Sequence, residues 1–525
     1  MKSLLQSNKS FVFVTLILVL LTSTAATIAP ILVQLMPNQT KSMDLSTFGV
    51  VFAAMVLSFF LQFGLLIYRE NFAAAFNTRH LSSLLRKMHG LSYDAYAKSE
   101  PTYLINRIFA AVDHLYLFMV NGVEGLARSL LTIVIALVLA FSVHWSIFLG
   151  LFVLLPINVW GFRFINQKLK SKMEVMQEQG ATSNKDLVAT FSNADQIKSQ
   201  PHYETLEQLV IPGIGRMYRT LAETNKFAQG SSSIIDFINR LFQNLLYLSV
   251  TYAIVRQWLP LSSIVVIGLI LPIFFNALSG LTQVNLNLKT LESSWQFVKK
   301  ELDRQKETDG SVELAPITTI QLHQPSFERD GKSLHYRIEE EWGRGQVVYV
   351  QGPSGSGKSS LIKGVLSFHS GEGLSINNVP AAQIRKASLR EKIAYVPQHA
   401  PILSRSLEEN IGWGNRLTEQ QKNGLERTRL LAPLFKNKTW DTQLTENGAN
   451  LSGGEKQRIA IARVLLREAD VILLDESTSS IDPASADDIF RDLIEAAAEK
   501  IIIYTSHNRE MIRHATHILS IETEN

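Results

Sequence analysis

Gly352-Pro353-Ser354-Gly355-Ser356-Gly357-Lys358-Ser359 is the densest run of chemistry-bearing residues in the sequence. The apolar stretch Gln346–Gln351 reads as a strand leading into it, and Ser360–Ser367 reads as a helix leaving it. Strand, glycine-rich loop and helix in this order make a phosphate cradle. The glycines let backbone N–H groups wrap an anion, and the helix N-terminus adds its dipole. Lys358 would then reach the β- and γ-phosphates, and the Ser359 hydroxyl would ligate Mg²⁺. A plain Gly/Ser turn before a helix is the alternative, and the flanking strand and helix argue against it.

Two further elements lie downstream. Val471-Ile472-Leu473-Leu474 reads as a buried strand and ends in Asp475-Glu476. Carboxylates at the C-terminal end of such a strand sit beside the phosphate loop of an open α/β sheet. Asp475 would hold the Mg²⁺ through water and Glu476 would polarise an attacking water. Leu451-Ser452-Gly453-Gly454-Glu455 opens a helical stretch and is a second anion-binding terminus. One chain has no need for two cradles, so this one is expected to cap the γ-phosphate of a nucleotide held by a second copy.

The chain must position these groups with 525 residues, long enough for two or more domains. Residues 1–300 carry 24 basic and 15 acidic side chains, while the remainder carries 27 and 32. An apolar, net-positive half therefore precedes an ordinary, slightly acidic one. That split excludes a disordered or fibrous chain and a simple soluble enzyme. It also argues against a nucleic-acid partner, because the basic excess lies in the apolar half. The sequence has no cysteine, so disulfides, thiolate metal sites and cysteine nucleophiles are excluded.

Long apolar runs mark membrane spans at 11–36, 45–68, 126–144, 145–165, 236–256 and 261–285, each near the ~20 residues a bilayer requires. The first continues through Ile28–Met36 and is too long for a cleaved signal sequence. Asn38-Gln39-Thr40 matches a glycosylation sequon on the outer side, with no more weight than chance gives it. Basic residues crowd the segments between spans two and three and between spans four and five, whereas the three opposite loops hold only Lys41 and Arg256. The N-terminus, both long segments and the C-terminal half are thus expected in the cytoplasm. Candidate turns in those segments lie at Ser92–Pro101 and Ser192–Pro201. After span six, Lys299–Gly310 reads as a helical tail and linker. Four β-branched runs, Val347–Val350, Lys392–Val396, Val471–Leu474 and Ile501–Tyr504, alternate with helical stretches as in an α/β domain.

Gly352–Ser359, Gln398 in Tyr395-Val396-Pro397-Gln398, Leu451–Glu455, Val471–Glu476, Ser479-Ser480-Ile481-Asp482 and His507, in this order and spacing, resemble the nucleotide-binding domain of an ABC transporter. With six preceding spans the chain is similar to an exporter-type half-transporter almost throughout. The resemblance implies an all-α polytopic membrane domain of six long helices followed by an α/β P-loop NTPase domain of ABC type. The boundaries expected are 1–298 for the membrane domain, 299–311 for a linker and 312–525 for the nucleotide-binding domain. ATP and Mg²⁺ are the implied cofactors. Gly352 to Ser359, with Ser360 behind them, would hold the nucleotide. Ser359, Asp475 and Gln398 would surround the metal, and Gln398 would also sense the membrane domain. Glu476 would be the general base, helped by Lys358, Gln398 and His507, the last touching the γ-phosphate. Ser452, Gly453, Gly454 and Asp482 would act across a dimer, favoured as a homodimer, with a related half-transporter as the other possibility. The turns at Ser92–Pro101 and Ser192–Pro201 would be coupling helices.

One departure stands out. The family usually stacks an aromatic residue on adenine about 25 positions before the phosphate loop. Here Ser326-Phe327-Glu328-Arg329 puts Arg329 in that place. Its guanidinium could stack instead, or Phe327 or Tyr336 could substitute.

The resemblance implies an ATP-driven exporter of an amphipathic, peptide-like, lipid or drug-like cargo, in the inner (plasma) membrane of a bacterium. A lipid flippase and an ATP-gated regulator without cargo flux are the alternatives. Asp236 and Arg240 on span five are expected to pair within their helix or to line a cargo path, and Asn276, Ser279, Gln283 and Asn285 suggest a wettable face on span six. Pro156 and Pro272 fall inside spans four and six, where prolines kink helices.

Overall fold

The computed structural model describes residues 8–26, 45–192, 194–260, 262–303, 305–329 and 331–521. Two compact units emerge: Met1–Leu91 with Tyr96–Lys306, and Ser92–Ala95 with Glu307–Asn525. The second half of the first expected span, the sequon and Lys41 lie outside the described residues.

Among the described residues, six long helices build the first unit: α1 (Lys9–Ala26), α2 (Leu45–His89), α3 (Pro101–Val143), α4 (Trp145–Phe191), α5 (Tyr203–Val255) and α6 (Ser262–Phe297). Among the described residues, α2, α3, α4 and α6 are long and apolar enough to cross a membrane. The expected span at 236–256 falls on the last part of α5, where Asp236 and Arg240 break the apolar run. Pro101 opens α3 at a position where its missing N–H costs nothing. His144 separates α3 from α4 in extended conformation, and its Nδ1 accepts the Ser146 N–H at 3.2 Å.

Inside α3 the residues Phe118–Gly122 form a π-turn. The Val120 carbonyl there accepts from Arg69 Nη1 of α2 at 2.9 Å, and Arg69 also pairs with Glu124 at 2.8 Å. Such an insertion is held by a side chain that supplies the partner its distorted backbone needs.

Polar residues also fasten α4 to its neighbours. Asn158 and Asn239 exchange amide hydrogen bonds of 3.0 and 3.1 Å, and both are buried. Asn166 and Asn285 do the same at 2.9 Å in each direction. Asn285 therefore faces α4 and leaves the wettable face proposed from sequence, which keeps Asn276, Ser279 and Gln283 exposed. The expected helical pair between Asp236 and Arg240 is also corrected. Asp236 Oδ1 instead accepts from Ser279 Oγ of α6 at 3.2 Å, and no ion pair joins it to Arg240 among the described residues. The neighbouring helix offers a donor to Asp236, while the Arg240 side chain is exposed.

The second unit holds two sheets. β1 (Thr319–Arg329), β2 (Lys332–His335), β3 (Glu339–Gly343), β5 (Gly371–Ile376) and β6 (Val379–Pro380) form an antiparallel sheet in the order β2-β1-β5-β6, with β3 also on β1. β4 (Val347–Gln351), β7 (Ile393–Val396), β8 (Val471–Asp475), β9 (Ile501–Thr505) and β10 (His517–Ser520) form a parallel sheet in the order β10-β4-β9-β8-β7. Residues alternate between two cores along its strands. Val347, Tyr349, Ile472, Leu474, Ile502 and Tyr504 face one, and Val348, Val350, Leu473, Ile501 and Ile503 the other. Strands buried on both faces read as continuous apolar runs, which is why four of these five are visible in the sequence. α7 (Lys358–Val365) leaves β4, α8 (Gly453–Leu465) precedes β8, and α9 (Pro483–Ala496) precedes β9.

Ser92–Ala95 groups with this unit. Tyr93 stacks on Phe368 with ring centres 4.8 Å apart, and Asp94 Oδ1 lies 3.3 Å from His369 Nδ1.

Candidate nucleotide site

The carboxyl ends of β4 and β8 carry the site. Gly355 and Gly357 take φ of +86° and +89°, the left-handed conformation that lets the loop after β4 curl back. A Cβ on Gly352 would fall 2.6 Å from Ser356 Oγ and 2.9 Å from the Ile521 carbonyl. Lys358 Nζ folds over the loop and donates to the Gly352 and Pro353 carbonyls, each at 2.9 Å. Ser356 Oγ is buried in the cradle, without a hydrogen-bond partner among the described residues. Ser354 is exposed at the loop tip.

Ser359, the second residue of α7, donates to Asp475 Oδ1 at 2.8 Å. Thr505 Oγ1 donates to the same oxygen at 3.1 Å. Glu476, one residue on, is buried with φ +50°. Gln398 Nε2 donates to its Oε2 at 2.6 Å, and His507 Nε2 lies 2.8 Å from its Oε1. The structure thus brings Lys358, Ser359, Gln398, Asp475, Glu476 and His507 together at the carboxyl end of the parallel sheet.

A hydroxyl and a carboxylate joined beside a cradle of backbone N–H groups fit a triphosphate with a hard divalent cation. Among the described residues there is no group of three or more acidic or histidine side chains that could cage a metal alone. The Ser359–Asp475 pair suits Mg²⁺, which takes few protein ligands and keeps phosphate and water in its shell.

Arg329 Nη1 reaches Ser360 Oγ at 3.1 Å, beside the start of α7. Phe327 and Tyr336, the aromatic alternatives, are only 2% and 5% exposed. Phe327 packs on Gly364 of α7, and the Tyr336 hydroxyl donates to the Gly357 carbonyl at 3.0 Å. Burial pushes the Tyr336 hydroxyl up to about 12, so it stays a neutral donor. Neither ring is open for stacking.

Ser452, Gly453, Gly454 and Asp482 form a second cluster, and among the described residues no hydrogen bond joins it to the phosphate loop. Ser452 caps α8 by accepting the Glu455 N–H at 3.2 Å, and Glu455 returns the bond to the Ser452 N–H at 2.7 Å. Ser452 and Gly453 are exposed. Asp482 caps α9 through the Ser485 N–H at 2.9 Å, which holds its carboxyl below the usual range. Gln457 links the two, donating to Ser479 Oγ at 3.1 Å and accepting the Ser480 N–H at 2.9 Å.

Sequence alone assigns no role to Gln457 or Thr505. Their signals were faint: a buried-side glutamine one turn into the glycine-started helix, and a threonine at a strand end two residues before His507.

A family model described as the ABC transporter transmembrane region matches residues 9–278, and one described as ABC transporter matches 337–479. The chain belongs to the ABC transporter family. A probable ABC transporter ATP-binding/permease protein of Haemophilus influenzae is 32% identical over 257 residues, about half of either chain (47% of this one and 46% of the other). An ATP-dependent lipid A-core flippase of Vibrio vulnificus is 26% identical over 448 residues, covering 80% of this chain and 74% of its own. A solved bacterial Atm1-family ABC exporter with ATP bound shares the fold, with a TM-score of 0.82 and 20% identity over 99% of this chain and 94% of that one. The chain is accordingly an ABC half-transporter of exporter type, a helical membrane region fused ahead of an ATP-binding domain. The chain binds ATP, and its ATPase activity is coupled to transport.

Proposed function

We propose that two copies of this chain bind two ATP molecules between them and use their hydrolysis to move an amphipathic cargo out of the cytoplasm by alternating access. The observation that carries this reading is the convergence of Gln398 and His507 on the buried carboxylate of Glu476, next to Ser359 and Asp475. Residues 1–298 are read as the membrane domain, 299–311 as the linker and 312–525 as the nucleotide-binding domain. The inner membrane of a bacterial cell, with the ATP-binding domain in the cytoplasm, is the proposed location; the bacterial relatives and the placement of basic residues support it.

The backbone N–H groups between Gly352 and Ser360, of which Pro353 supplies none, and the Lys358 ammonium hold the phosphates. Ser359, Asp475 and Gln398 would hold Mg²⁺, which would neutralise phosphate charge. Glu476 orients the attacking water and takes its proton, while His507 contacts the γ-phosphate. Arg329 lies against the base. The exposed helix start Ser452-Gly453-Gly454, together with Asp482, caps the γ-phosphate held by the other copy. Loss of the γ-phosphate removes that link, and the domains part. The turns at Ser92–Pro101 and Ser192–Pro201 transmit the motion.

A flippase is the second reading, supported by the relative of that name. Purified protein in nanodiscs, screened with peptide-like, drug-like and lipid cargo, tests these readings. A cargo that stimulates ATPase activity and accumulates in inverted vesicles supports export, and lipid moving between leaflets supports the flippase. ATPase activity answering only to a protein partner would overturn both.

A further inference from the structure

Thr505 closes β9 opposite Asp475 in the parallel register of β8 and β9. Its side chain is buried, and its hydroxyl is used twice. Oγ1 accepts the backbone N–H of Glu476 at 3.1 Å and donates to Asp475 Oδ1 at 3.1 Å. That carboxylate oxygen also accepts from Ser359 Oγ. One oxygen atom therefore joins the carboxylate on the phosphate-loop side to the backbone of the neighbouring glutamate.

Glu476 has need of such a tie. Its φ of +50° is a left-handed conformation that L-residues with a Cβ avoid and keep only where the surroundings enforce it. Its N–H lies past the end of the β8–β9 ladder and is buried, so an acceptor must come from a side chain. Threonine suits the place because its β-branch stiffens χ1 and fixes where the hydroxyl points.

We propose that Thr505 is a positioning residue for ATP hydrolysis. By accepting the Glu476 N–H it holds the left-handed turn that aims the Glu476 carboxylate between Gln398 and His507. By donating to Asp475 it keeps that carboxylate turned toward Ser359. The proposal rests on the reading of Glu476 as the general base. Serine at this place keeps both bonds. Valine keeps the shape, and leaves the Glu476 N–H without an acceptor.

The test uses the full-length protein in nanodiscs, as Thr505→Val, Thr505→Ser, Glu476→Gln and the double Thr505→Val/Glu476→Gln. Turnover and KM are measured, with binding of a fluorescent ATP analogue in EDTA and nucleotide-free hydrogen exchange of the 474–479 peptide. Thr505→Val should lower kcat about 10- to 100-fold, the range for a misplaced catalytic group, with binding in EDTA within about twofold of the parent. Its 474–479 amides should exchange faster. Thr505→Ser should restore kcat to within about threefold and restore protection. Added to Glu476→Gln, the valine should cost less than it does alone, because its effect through Glu476 is already gone and only its effect through Asp475 remains. Unchanged turnover in Thr505→Val, an equal loss in Thr505→Ser, or the full loss repeated on top of Glu476→Gln would overturn the proposal while leaving the base reading intact. Near-normal turnover in Glu476→Gln alone would remove the base reading, and this proposal with it.

Discussion

Gln398 and Glu476 meet through a single short hydrogen bond, amide Nε2 to carboxylate Oε2 at 2.6 Å. The other carboxylate oxygen faces His507. Both oxygens of the proposed base are thus engaged by residues from two different loops, one after β7 and one after β9. A shift of either loop changes how the carboxylate can address a water, which gives a physical route from motion elsewhere to the chemistry.

Glu476→Gln keeps the shape and both neighbours while removing the basic oxygen. It is expected to bind ATP normally and to lower turnover by about 10²–10⁴, the contribution of a general base. Steady-state ATPase assays with nucleotide-binding titrations check both halves of this statement.

Much of the architecture is legible in the sequence because its signals are local. β4, β7, β8 and β9 are buried on both faces and appear as apolar β-branched runs. The phosphate loop announces itself by spacing. The antiparallel sheet was not readable: β1 is interrupted by Gln324 at φ +44° and Pro325, and β3 begins with three glutamates before Trp342. Nor could the partner of Asp236 be read, since Ser279 is chosen by helix packing rather than by spacing along one helix. Thr505 and Gln457 were missed for the same reason: their bonds depend on strand register and on a loop returning to α8.

Phe327 lies on Gly364, where even a Cβ would collide with the ring. Gly364→Ala should destabilise the ATP-binding domain by about 1–3 kcal/mol, the usual penalty for overpacking. Combining it with Phe327→Leu should recover part of the loss, as calorimetry of the two variants and their combination would show. Arg329→Ala, by contrast, should leave stability unchanged and weaken ATP binding.

The buried clasp between Asn158 and Asn239 makes a further prediction in the membrane unit. Either alanine substitution strands an amide, and each is expected to cost about 0.6–1.7 kcal/mol, the range for polar contacts between membrane helices. The double variant should cost less than the two singles together. Denaturant titration in mixed micelles measures the cycle, and strict additivity would deny the coupling.

Asp487 accepts from His514, Arg491 and Arg513, and the His514 bond leads in holding its carboxyl below the usual range. A carboxyl depressed by folding stabilises the protein fully above its unfolded pKa of about 3.9 and loses that contribution as pH falls through the lower folded value. Asp487→Asn should therefore lower Tm at pH 7 on the order of 2–4 °C. The gap to the parent should close as the pH is taken below about 3.

The shared nucleotide site itself is tested most directly by cross-linking, which the absence of native cysteine makes clean. In a Glu476→Gln background, cysteines replace the exposed Ser354 and Ser452, and oxidation is followed on gels with and without ATP. A disulfide-linked dimer that forms only with ATP, and only when both cysteines are available, is the predicted result. A chain that stays monomeric on the gel under saturating ATP, while fluorescence shows the nucleotide bound, would contradict the account.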